Sequence, residues 1–94
     1  MISREGDRLV LSGRLVMSTV PVLYETGLQH LAAADLLVDF SGVEAVDSSA
    51  VSMLLGWTRA AQKQGRNLRV KSMPEDLKSL AHLYGVAEML PNAV

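Results

Sequence analysis

Apolar residues near the start and in the middle of this chain follow strand patterns. Leu9 to Leu11 come directly after a Gly6-Asp7 turn, which predicts a hairpin whose second strand is broken by Gly13. The segment Leu36–Phe40 is a continuous apolar run, typical of a central parallel strand covered on both faces. We expect a loop after it, from Ser41 to Asp47.

Three longer segments repeat their apolar residues at intervals of three and four, which is the helical period. The spacing predicts helices over about 19–33, 48–64 and 74–84. The first helix follows two capping candidates, Ser18 and Thr19. Its predicted apolar face consists of Val20, Leu23, Tyr24, Gly27, Leu28 and Leu31.

The third helix has the signature of a capping box, with Ser72 as the N-cap and Glu75 at the third helical position. A short strand, Leu68–Val70, precedes it, and Gly85 ends it. Its predicted buried face is Leu77, Leu80, Ala81 and Tyr84. The resulting order is ββαβαβα. Strand–helix–strand units predict right-handed crossovers, and therefore a single α/β domain over 1–94 with a mixed sheet covered by three helices.

The long second helix carries different chemistry on its two sides. The side predicted to face the sheet contains Ala50, Val51, Leu54, Trp57, Thr58 and Ala61. The opposite stripe contains Ser48, Ser52, Gly56, Arg59 and Lys63, with Met53 and Leu55 along its edges. Either Asp47 or Ser48 is expected to cap this helix. The stripe is either a solvated face or a docking surface with an exposed, modifiable Ser48 hydroxyl at a helix N-terminus.

Composition narrows the chemistry available to the 94-residue chain. It has no cysteine, only two histidines (His30 and His82) and a net charge of −1. Thiol catalysis and thiolate metal sites are therefore excluded, and bulk attraction to nucleic acid is not expected. No glycine-rich phosphate loop and no apolar run long enough to span a membrane is present in the sequence. We expect a protein without catalytic activity, cofactor or metal.

The segments Leu36–Val43 and Val46–Val51 together resemble the STAS domain, a family named after sulfate transporters and anti-sigma factor antagonists. The resemblance covers essentially the whole chain. In the antagonist branch, a partner kinase that is itself an anti-sigma factor phosphorylates the serine directly after the aspartate. By position that serine is Ser48. Two departures from this branch are Ala50, where a glycine is usual, and Val16, where an acidic residue is usual.

Three C-terminal segments, 60–65, 80–86 and 89–91, resemble a second branch, the small single-domain STAS subunits of Mla-type phospholipid-transport systems. That resemblance implies a cytoplasmic subunit, peripheral to the inner membrane through its partner, that binds and supports the ATPase of an ABC transporter. The two partner alternatives, this ATPase subunit and an anti-sigma factor serine kinase, remain open.

The resemblance to the Mla-type subunits implies a docking surface that includes the start of the second helix. Gly56 would let a partner approach the helix backbone, and Met53 would supply an adaptable apolar contact. We expect the partner-binding residues to be Asp47, Ser48, Ser49, Ser52, Met53, Gly56 and Arg59.

Overall fold

A computed structural model describes residues 1–91 and confirms the ββαβαβα order. A single 3-10 turn, Ala87–Met89, follows the last helix. The elements are β1 (Ile2–Glu5), β2 (Arg8–Leu15), α1 (Val20–Ala33), β3 (Leu36–Val46), α2 (Ser48–Lys63), β4 (Leu68–Lys71) and α3 (Glu75–Leu83).

The four strands form one mixed sheet in the order β1-β2-β3-β4. The hairpin at Gly6-Asp7 pairs β1 and β2 antiparallel, whereas β2, β3 and β4 run parallel. Leu9 on β2, Val38 on β3 and Val70 on β4 lie in register across the three parallel strands. All three side chains are buried in the single core that the helices complete.

Within residues 1–91, the helices cover only one face of the sheet. On β2 the buried Leu9 and Leu11 alternate with half-buried neighbours, and on β4 the buried Val70 lies between exposed Arg69 and Lys71. Helices therefore cover only one face of the central strand, although four of the five residues in Leu36–Phe40 are buried and Leu37 is half-buried. Two consecutive right-handed crossovers in the same direction place α1 and α2 on the same side, which leaves the other face open.

Strand β3 continues beyond its apolar run through an irregularity next to Asp39. Between Asp39 and Gly42, β3 has one residue more than the paired stretch of β2, which is a β-bulge. The Asp39 carboxylate, only 6% exposed, accepts the Ser41 N–H at 2.9 Å and lies 3.8 Å from the Arg8 guanidinium. The hydrogen bond from the Ser41 backbone is the main reason that the pKa of Asp39 is lowered.

Four local predictions are wrong. Strand β3 runs to Val46, so the predicted loop from Ser41 to Asp47 is strand almost throughout. Gly13 does not break β2, because its positive φ of 80° accommodates a second register shift against β3. Ser72 has a φ of 59° and does not cap α3, whose N-cap is Pro74 without a side-chain bond. Tyr84 follows α3 and is 52% exposed.

Helices α1 and α2 pack through a reciprocal glycine–aromatic contact. A methyl group at Gly27 of α1 would lie 2.3 Å from ring carbons of Trp57 on α2. A methyl group at Gly56 of α2 would lie 2.6 Å from Cε1 of Tyr24 on α1. The indole N–H of the fully buried Trp57 donates to the Tyr24 carbonyl at 3.0 Å. Each glycine thus makes room for an aromatic ring of the other helix, which fixes the position of α2 on the sheet.

Candidate functional site

The N-terminus of α2 is capped by Asp47. Its Oδ1 atom accepts the Ser49 N–H at 2.8 Å and also accepts a hydrogen bond from the Ser49 hydroxyl. The backbone N–H of Asp47 donates to the Leu15 carbonyl at 3.1 Å, which joins the cap to the end of β2. The hydrogen bond from the Ser49 hydroxyl is the largest cause of the lowered pKa of Asp47. Of the two expected capping residues, Asp47 has this role and Ser48 does not.

The second carboxylate oxygen of Asp47 reaches the connection between β2 and α1. Oδ2 accepts the Met17 N–H at 3.0 Å. Thr19 closes the same connection, because its hydroxyl donates to the Arg14 carbonyl at 2.6 Å and accepts the Val16 N–H at 3.0 Å. The connection is therefore held directly beside the start of α2.

The exposed stripe of α2 contains three of the predicted site residues, Ser48, Ser52 and Arg59. No hydrogen bond joins the hydroxyl of Ser48 or Ser52 to another residue within 1–91. Ser49 lies beside them but is half-buried, and its hydroxyl is bound to Asp47. Of the three serines near the helix start, Ser48 and Ser52 thus have hydroxyls free for a partner.

Met53 and Gly56 do not belong to this exposed stripe. Met53 is 1% exposed and is part of the core. The ring of Tyr24 occupies the space next to Gly56, so a partner could not approach the helix backbone there. Both residues lie on the flank of α2 that faces α1, since positions 53 and 56 are three residues apart. Sequence periodicity predicts Gly56 on the outward stripe and Met53 along its edge, because it does not include packing by α1.

A groove runs between α2 and the segment that follows α3. Its volume is about 360 Å³. Apolar surface of α2 forms one wall, and hydroxyl groups stand at its edges. The residues that line it are Ser48, Val51, Ser52, Leu55, Tyr84 and Val86. Leu55 also borders a second depression of about 230 Å³, which extends along α2 to Arg59 and Met89.

Sequence reasoning missed Tyr84 and Val86 as residues of this groove. Tyr84 fits the apolar spacing of α3 and was therefore expected in the core. The signal against that assignment is Gly85, which adopts a φ of 70° and ends the helix. A residue directly before such a glycine is at the end of the helix, where its side chain can leave the buried face. The groove thus combines apolar surface and free hydroxyls, which suits a protein segment better than a small charged ligand.

Two further observations concern metal sites and membrane-spanning helices. Among residues 1–91, no three His, Asp or Glu side chains gather closely enough to hold a metal ion. In that same range, none of the helices has the length and apolar character needed to cross a bilayer.

Comparison with known proteins agrees with this architecture. The family described as "Mlab, STAS domain" matches residues 1–91. Over 87 residues the chain is 32% identical to the intermembrane phospholipid transport system binding protein MlaB of Escherichia coli (strain K12). That match covers 92% of this chain and 89% of the E. coli protein.

Two solved structures share the fold at low sequence identity. The anti-sigma factor antagonist SpoIIAA in its unphosphorylated form superposes with a TM-score of 0.73 and 15% identity, covering 100% of this chain and 86% of that one. A candidate anti-sigma factor antagonist from Thermotoga maritima gives a TM-score of 0.79 and 13% identity, covering 100% and 85% of the two chains. At these identities the likeness concerns the fold alone.

Proposed function

Because this chain belongs to the STAS family described as Mlab, we propose that it is the non-catalytic STAS subunit of a phospholipid-transport system. In this role it binds the ATPase subunit of an ABC transporter and supports its activity. It stays in the cytoplasm, at the inner membrane through that partner. The observation that carries the proposal is the 32% identity to MlaB over 89% of that protein.

We propose that the partner binds a docking face composed of Ser48, Ser52, Leu55, Arg59, Tyr84 and Val86. The geometry supports this choice, because these residues combine a groove of about 360 Å³ with exposed hydroxyls and one exposed guanidinium. Apolar side chains of the partner would fill the groove, and its polar groups would bond Ser48 and Ser52. Asp47 and Ser49 contribute by holding the helix start, whereas Met53 is buried in the core and Gly56 is half-buried against the ring of Tyr24.

The proposal is tested by co-expressing the tagged protein with the transporter ATPase of the same cell. We expect the ATPase subunit to co-purify, and Ser52→Arg to reduce binding at least tenfold, because a long cation enters the groove edge. Ser79→Arg is the matched control, since Ser79 is exposed on α3 and does not line the groove. Unchanged binding by Ser52→Arg would refute the docking face, and absence of the ATPase would refute the function.

One observation favours a second function, that of an anti-sigma factor antagonist. The Ser48 hydroxyl is exposed at a helix N-terminus, where phosphate is favoured by the backbone N–H groups. The neighbouring Asp47 opposes it, because its lowered pKa keeps a negative charge beside any phosphate. Under this alternative, a serine kinase would co-purify in place of the ATPase, and the isolated protein would carry one phosphoryl group on Ser48.

A further inference from the structure

The connection between β2 and α1 presents an apolar side chain to solvent on a fixed backbone. Met17 is 74% exposed. The Thr19 hydroxyl closes the turn that carries Met17 by bonding back to Arg14 and Val16. An exposed apolar side chain is unremarkable when its loop is free to move. Here the backbone of the loop is already held in place, so it would lose little conformational entropy when a partner binds Met17.

Asp47 joins this turn to the docking face. Its Oδ1 atom caps α2 at Ser49, and its Oδ2 atom accepts the Met17 N–H. Ser48, the first residue of the docking face, is the next residue along the chain. One carboxylate therefore sets the distance between Met17 and the exposed serines. Both of its oxygens are used inside the chain, which argues against direct contact between Asp47 and a partner.

We infer that Asp47 is a positioning residue that holds Met17 at the edge of the docking face, where Met17 enters an apolar pocket of the ATPase partner. This inference rests on the proposed function. Asp47 accepts the Met17 N–H and directly precedes Ser48, so the turn that carries Met17 lies beside the first residue of the docking face. The unbranched thioether adapts to pockets of varied shape, which suits an anchor side chain at an interface.

Four substitutions separate the role of Asp47, which holds the turn, from the role of Met17, which contacts the partner. Asp47→Asn keeps one oxygen to cap α2 but replaces the other with an NH2 group, which cannot accept the Met17 N–H. Met17→Gln keeps the length of the side chain and removes its apolar character, whereas Met17→Leu restores that character. Val22→Gln is the matched control. Val22 is equally exposed, at 73%, but lies on α1, beyond the turn that carries Met17.

The test is calorimetric titration of the full chain and each variant with the purified ATPase subunit. We expect Met17→Gln and Asp47→Asn each to weaken binding about tenfold, with Met17→Leu and Val22→Gln close to the unsubstituted protein. The double variant Asp47→Asn with Met17→Gln should bind no worse than Met17→Gln alone, because Asp47 acts through Met17. This lack of additivity distinguishes positioning from a general loss of stability.

Three results would overturn the inference. They are unchanged binding by Met17→Gln, an equal loss in Val22→Gln, or additive losses in the double variant. If Met17→Gln instead turned a dimer into a monomer in sedimentation without affecting ATPase affinity, a second copy of the chain would be the occupant and the inference would be wrong. Failure of the unsubstituted protein to bind the ATPase would instead refute the proposed function itself.

Discussion

The two flanks of α2 are packed in opposite ways. Toward α1, Gly56 and Gly27 bring the helices so close that the rings of Tyr24 and Trp57 fill the space a methyl group would need. Toward the segment after α3, the same helix leaves a groove of about 360 Å³ beside the half-exposed Tyr84. One helix is thus tightly packed on one side and incompletely covered on the other.

Because of this difference, one side of α2 contributes to the stability of the fold and the other side is available for binding. The α1 flank holds α2 against the sheet, because its contacts are buried and include the Trp57 hydrogen bond. The opposite flank does not hold α2 in this way, so its exposed serines and apolar wall remain available to a partner. Substitutions on the α1 flank should therefore change stability, and substitutions on the opposite flank should change binding.

The largest effect on stability is expected from Gly27→Ala. The new methyl group would overlap the indole of Trp57, which is fully buried and hydrogen-bonded to the Tyr24 carbonyl. Overpacking of this kind outweighs the helix propensity gained, for a net loss of about 2 kcal/mol in the free energy of unfolding. Urea denaturation measures this loss in the free energy of unfolding. Gly56→Ala is the matched comparison and should cost less, because the half-buried Tyr24 ring can shift. Equal stability for the two variants would contradict this account of the α1 flank.

A smaller effect concerns the open face of the sheet, where Asp39 stabilises the bulge in β3. Asp39→Asn should lower the free energy of unfolding by about 1.5 kcal/mol at neutral pH, because a charge-assisted hydrogen bond to Ser41 is weakened. The pKa of Asp39 is lowered in the folded state, so its contribution is complete above its ordinary pKa of 3.8 and is lost as the pH falls through the lower folded value.

Thermal unfolding at pH values from 7 to about 2 measures this dependence. The unsubstituted protein should lose stability more steeply over the acid range than Asp39→Asn. Because the pKa of Asp47 is lowered too, part of the slope should remain in that variant. Parallel curves for the two proteins would show that Asp39 does not stabilise the bulge through its charge.

The smallest effect is expected from Ser48→Ala. Its free energy of unfolding should change by less than about 0.5 kcal/mol, because Asp47 and not Ser48 caps α2. Asp47→Ala is the control and should cost about 1 kcal/mol. Ser48→Asp should also fold, yet bind the ATPase more weakly, since it places a carboxylate on the docking face, next to the charged Asp47. A Ser48→Asp protein with unchanged affinity would remove Ser48 from the interface.

The parts of the fold that local periodicity specifies could be predicted from sequence. The limits of α1 and α2 agree with expectation to within one residue, since their apolar faces and capping candidates lie within or next to each segment. The second half of β3 could not be predicted in this way. Residues 41–46 are strand because they pair with β2 through two bulges, which is a long-range interaction that leaves no alternating pattern.

The candidate site was predicted with the same limitation. Exposure of Ser48 and Ser52 follows from the helical spacing, which the structure confirms. The interior position of Met53 depends on where α1 packs, and no pattern within α2 contains that information. The contribution of Tyr84 likewise depends on the end of another helix.

The separation of the two flanks is tested most directly by measuring ATPase affinity and unfolding free energy on the same two variants. Ser52→Arg should bind at least tenfold more weakly with an unfolding free energy within about 0.5 kcal/mol of the unsubstituted protein. Gly27→Ala should unfold more easily yet, at a temperature where it is folded, bind with unchanged affinity. If either variant altered both quantities, stability and binding would share the same surface of α2, and the account would be wrong.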